Sequence, residues 1–104
     1  MGDARKAIGP EDTLIVMSDH GFTSFRRGFN LNSWLYENGF IKLINPRRQG
    51  RDLLFGNVDW SGTRAYGLGM NGLYVNRKGR ERHGTVSASS QSSVLDQIRE
   101  KLMN

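Results

Sequence analysis

The stretch Thr13-Leu-Ile-Val-Met-Ser-Asp-His-Gly-Phe22 decides how the fold is read. Thr13–Ser18 is an unbroken β-prone apolar run. A strand with one face in water would alternate polar and apolar residues; a continuous run suits a central parallel strand buried on both faces. Such a strand needs neighbouring strands on its edges and helices over its faces. The run ends in Asp19-His20, and Gly21 then permits a tight bend. In open α/β sheets, ligands bind beyond the carboxyl ends of the strands. An acid and an imidazole placed there can turn toward one point. Carboxylate oxygen with imidazole nitrogen suits Zn²⁺, Mn²⁺ or Fe²⁺ better than Ca²⁺ or Mg²⁺. The plain alternative is a surface turn in which Asp19 caps backbone N–H groups and His20 is incidental.

Reading outward from this stretch, residues 3–9 form the end of a helix stopped by Gly9 and Pro10. Beginning within a helix suggests an internal fragment of something larger. After a Gly- and Arg-containing loop over 19–29, Asn30 or Asn32 caps a short helix over 31–38, which Asn38-Gly39 ends. Phe40–Ile44 alternates as a strand. Residues 45–62 are a polar loop with Pro46 and a small apolar patch at Leu53–Phe55. Thr63–Leu68 and Leu73–Val75 read as strands, and Val94–Met103 as a helix with Val94, Leu95, Ile98 and Leu102 at helical spacing. Gly67–Gly72 has the spacing of a dinucleotide loop. It precedes a strand rather than a helix, so it reads as a turn. Trp34, Leu35 and Phe40 are the expected core. The fold class is therefore α/β: part of a mostly parallel sheet with flanking helices and a small strand-and-loop insertion over 40–80.

Composition narrows the chemistry. The chain has 104 residues and no cysteine, which excludes disulfide scaffolds, zinc ribbons and thiol catalysis. No apolar run is long enough to span a bilayer, and the first ten residues lack the apolar stretch of a secretory signal. A cytoplasmic protein without a membrane partner is the expectation. The net charge is +5 but uneven: residues 1–25 carry −2, residues 26–85 carry +7 and residues 86–104 balance. Eleven of the fifteen cations are Arg, whose fork suits phosphate and carboxylate. The Arg77–Arg82 stretch has no interleaved aromatic on which a base could stack. A solvated surface is expected there rather than a nucleic-acid partner. Arg64 and Arg80 read as structural, buried and paired.

Several segments together resemble the alkaline phosphatase superfamily, and within it the type I phosphodiesterase/nucleotide pyrophosphatase branch. They are Leu14–Phe22, Asn30–Leu35 with Asn38-Gly39-Phe40, Trp60-Ser61 with Thr63–Tyr66, and Gly72–Asn76 with Gly79-Arg80-Glu81. The resemblance runs over about 13–86. It also extends to a bacterial and archaeal phosphohydrolase/phosphomutase group, and it implies an alkaline-phosphatase-like sheet. It further implies a two-metal centre, a phosphate-ester substrate, and a Thr or Ser nucleophile contacting one metal. Asp19 and His20 would be two ligands of that metal, a zinc or manganese ion.

The nucleophile and the other ligands fall elsewhere in the family's chain, so no catalytic residue is assigned here. Ser18, Thr23 and Ser24 lie near the pair but lack a Ser–His–acid arrangement. His83 is the one further histidine that could complete a site; otherwise it lies in a solvated loop. The expectation is a single domain over 1–104, a fragment of a larger catalytic domain, that does not turn over alone. A free-standing basic nucleic-acid-binding module is the alternative. So is a structural fragment that forms homo-oligomers through exposed sheet edges.

Overall fold

The computed structural model describes residues 2–104 except Leu53, so that part of the expected Leu53–Phe55 patch lies outside the described residues. Helix α1 spans Gly2–Ala7, α2 Leu31–Glu37 and α3 Gln91–Met103; strands β1 and β2 span Ala65–Leu68 and Gly72–Val75. The helix expected over 31–38 and the one ending at Met103 are both present. So is the turn over Gly67–Gly72, where Gly69 and Asn71 take positive φ angles of 69° and 60°. No helix among the described residues is long and apolar enough to cross a membrane.

The expected parallel sheet is absent among the described residues. Among the described residues the sheet has two strands, β1 and β2, paired antiparallel with Tyr66 opposite Tyr74 and Gly67 opposite Leu73. Phe40–Ile44 makes no strand; it contributes one isolated bridge, Leu43 to Val58. Thr13–Ser18 forms no strand and has no bridge partner among the described residues, and Ile15, Val16 and Met17 are 72%, 62% and 84% exposed. The physical reason is one of partners. A strand buried on both faces needs a ladder on each edge, and these residues assemble only a hairpin whose inner face is already covered. Every described residue before Leu31 is exposed, and the radius of gyration is 21.4 Å against about 13 Å for a compact chain of this size.

The packed part begins at α2. Asn30 caps it, its side-chain oxygen accepting from the Ser33 N–H at 3.1 Å. Asn38 and Gly39, the latter at φ 77°, end it. Its buried face, Leu31 and Leu35, meets Phe40, Ile41, Ala65, Val75, Val86, Val94 and Ile98 in a single core. Leu35 and Phe40 are fully buried, and Trp34 stacks on Phe40 at 6.2 Å. The Asn32 side chain acts as a strand partner: its Oδ1 accepts from the Gly67 N–H at 2.7 Å and its Nδ2 donates to the Gly67 carbonyl at 2.9 Å. Gly67 admits this approach because a Cβ there would stand 3.0 Å from Leu31 Cδ2. Arg64 is half-buried over the Phe40 ring at 4.7 Å and donates to Gln97. It has no carboxylate partner among the described residues, contrary to the paired role expected of it. Arg80 is exposed and does pair, with Glu81.

Asp59 clamps the loop that precedes β1. Its Oδ1 caps a 3-10 turn over Trp60–Gly62 by accepting from Ser61, and its Oδ2 meets Lys42 Nζ at 2.9 Å. The Ser61 hydrogen bonds and the Lys42 ammonium lower its pKa to about 2.

Two outcomes check this architecture. Phe40→Ala should lower the unfolding free energy by about 3–5 kcal/mol, whereas Ile15→Ser should move it by less than about 0.5 kcal/mol, in urea titrations read by tryptophan fluorescence. Asp59, with its pKa depressed below an unfolded value of about 3.9, stabilises the fold above that pH and loses the contribution as pH falls toward about 2. Asp59→Asn should therefore flatten the acid limb of the stability–pH curve between those values and leave the neutral limb parallel to wild type.

Candidate metal site and its surroundings

Asp19 and His20 lie where the apolar run gives way to Gly21. Asp19 Oδ2 stands 3.4 Å from His20 Nε2, and both side chains are open to solvent, at 87% and 64% exposure. The separation exceeds the usual N–H···O range, so the pair is close without being hydrogen-bonded. The other ring nitrogen, Nδ1, lies 2.9 Å from the Gly21 carbonyl. A carbonyl only accepts, so Nδ1 carries the proton of that contact and Nε2 is left with its lone pair when the ring is neutral. The Ser18 hydroxyl donates to the His20 carbonyl at 2.6 Å, which holds the turn and occupies the hydroxyl in a structural role. Phe22 meets the His20 ring edge-on at 5.6 Å.

The structure brings Asp19 and His20 together and adds nothing to them. Among the described residues no group of three or more His, Cys, Asp or Glu side chains could hold a metal ion. His83 is exposed, and its carbonyl, not its ring, is engaged, accepting from Asn76 Nδ2 at 3.1 Å. Phe22, Phe25 and Phe29 are 98%, 90% and 53% exposed. A cavity of about 250 Å³ opens between α2 and the 49–58 loop, with Tyr36, Asp52 and Phe55 in its wall, but neither Asp19 nor His20 lines it.

Sequence reasoning missed a second polar centre at the open edge of the hairpin. Tyr66 donates its hydroxyl to Glu81 Oε1 at 3.1 Å; Arg80 donates to the same oxygen, and the Arg77 N–H donates to Oε2 at 2.8 Å. Burial opposes the Glu81 charge, but the Arg80 guanidinium and these hydrogen bonds outweigh it and hold its pKa below the ordinary glutamate value. Burial and the facing Glu81 carboxylate raise the Tyr66 pKa. No local spacing signals this group. Tyr66 and Glu81 stand fifteen residues apart, and only the β1–β2 turn brings them together.

A comparison with curated proteins and with solved structures returned no match. The family model described as type I phosphodiesterase / nucleotide pyrophosphatase matches residues 1–104. With the whole length matched, the chain belongs to the type I phosphodiesterase / nucleotide pyrophosphatase family.

Proposed function

We propose that this chain supplies Asp19 and His20 as two ligands of a divalent metal in a phosphate-ester hydrolase of this family. The observation that carries the reading is the 3.4 Å spacing of Asp19 Oδ2 and His20 Nε2. Two ligand atoms on a tetrahedral zinc ion, each about 2.0–2.1 Å from it, stand roughly 3.3–3.4 Å apart. With the ring neutral and its proton on Nδ1, these are two acceptor atoms, which repel one another at that distance. A cation between them converts the repulsion into two favourable contacts. The Gly21 carbonyl supports the arrangement by keeping the His20 proton on Nδ1, the outer-sphere contact that ligating imidazoles commonly make.

When bound, the metal supplies Lewis-acid polarisation of a phosphoryl oxygen. The chain's own part is narrower. Asp19 contributes a carboxylate oxygen, His20 contributes a ring nitrogen oriented by the Gly21 carbonyl, and the exposure of both leaves room for a substrate and for further ligands. The described residues bring no third ligand to the pair, and the Ser18 hydroxyl beside it is taken up by the His20 carbonyl. The proposal therefore assigns this chain metal ligation, and assigns turnover to a centre completed by other residues. Zinc and manganese both fit an oxygen–nitrogen pair.

Zinc titration followed by the histidine ring resonances tests this. Wild type should show saturable shifts at His20 below about millimolar Zn²⁺, with His83 unmoved. Asp19→Ala should weaken the response at least ~10-fold, equivalent to about 1.4 kcal/mol. A His20 ring that stays silent to zinc, or that responds equally without Asp19, would sink the assignment.

A further inference from the structure

The Arg77–Arg82 turn carries no aromatic of its own, but the fold supplies rings from elsewhere. Phe55, Trp60, Tyr66 and Tyr74 form a connected cluster. Phe55 meets Trp60 at 5.3 Å and Tyr66 at 5.9 Å; Trp60 meets Tyr66 at 5.2 Å; Tyr66 and Tyr74 stack across the hairpin at 5.6 Å and 17°. The first three rings are half-buried and Tyr74 is 42% exposed.

This cluster joins two basic loops that lie far apart in the sequence. Phe55 belongs to the loop that carries Arg47, Arg48 and Arg51. The Tyr66 hydroxyl, through Glu81, ties the rings to the turn that carries Lys78, Arg80 and Arg82. Arg48 pairs with Asp52, and Arg80 with Glu81. Arg47, Arg51, Lys78 and Arg82 are exposed and make no ion pair among the described residues. Packing accounts for the half-buried rings. It does not account for the four cations without an ion pair on the two loops that these rings connect.

We infer that this face binds single-stranded nucleic acid. Its cations meet backbone phosphates, and Tyr74, the ring most open to solvent, takes a base by stacking. Charge complementarity selects a polyanion, and the ring selects one that carries flat, unpaired bases; a duplex keeps its bases stacked on each other. The face uses neither Asp19 nor His20, so it stands or falls apart from the metal reading.

The test is fluorescence anisotropy of a fluorescein-labelled oligothymidylate of about 12 nucleotides, with the intact chain. Four phosphate contacts on a single strand predict a slope of log K against log salt of about −3. Tyr74→Ala should weaken binding about fivefold or more, while Tyr74→Phe, which keeps the ring, should bind as wild type. Lys78→Ala combined with Arg82→Ala changes only exposed side chains and should make the salt slope shallower by about 1.4. That variant keeps the test decisive should Tyr74→Ala fail to fold. No binding up to about 100 µM protein in low salt overturns the inference. So does an unchanged salt slope in the double variant, an undiminished affinity in folded Tyr74→Ala, or equal affinity for a duplex of the same length.

Discussion

The packed half of this chain turns on one buried amide. Asn76 is fully buried just after β2, and the carbonyls of Trp60, Thr63 and His83, at 3.1, 2.8 and 3.1 Å from its Nδ2, share the two N–H groups of that amide. Its backbone is used on both sides: the N–H donates to the Arg64 carbonyl, and its carbonyl accepts from Thr85 and Val86, while the side-chain Oδ1 is buried with no hydrogen-bond partner among the described residues. An amide out of water costs stability unless its polar atoms find partners. The segments that supply those partners are therefore held in one relation to each other. Thr85 adds a bond of its own to the Thr63 carbonyl. Where loop 83–86 enters, Gly84 runs so close to Arg77 that a Cβ there would collide with the Arg77 backbone.

From that anchor the two surface features follow. Trp60 is held by its carbonyl, which fixes the ring that Phe55 and Tyr66 pack against. The return of the chain at 83–86 fixes the 77–82 turn in front of Tyr66, and Glu81 closes the gap by accepting from Tyr66, Arg80 and the Arg77 N–H. The aromatic cluster and the basic turn thus share one origin in the packing around Asn76.

The Asp19–His20 pair rests on different forces. Its geometry comes from contacts within five residues: Ser18 to the His20 carbonyl, His20 to the Gly21 carbonyl, and the edge of Phe22 on the ring. No core residue stands behind it. Local bonds suffice to place two donor atoms at metal-ligand spacing. They do not suffice to gather a third ligand, because that requires tertiary contacts this stretch does not make.

Local chemistry was legible in the residues themselves. Asn30 and Gly39 mark the ends of α2, the spacing of Val94 and Ile98 marks α3, and Gly69 with Asn71 marks the turn between β1 and β2, since each rests on interactions within a few positions. The family too was legible, because its motifs are short runs of adjacent residues, Asp19-His20-Gly21-Phe22 foremost. The tertiary structure alone decided what long-range pairing controls. It left Thr13–Ser18 without the strand partners its composition suits, made the sheet antiparallel rather than parallel, gave Asn32 the place of a strand beside Gly67, and set rings from positions 55, 60, 66 and 74 between two basic loops. Periodicity reports which residues favour burial. It cannot report whether a partner for each buried edge is present in the fold.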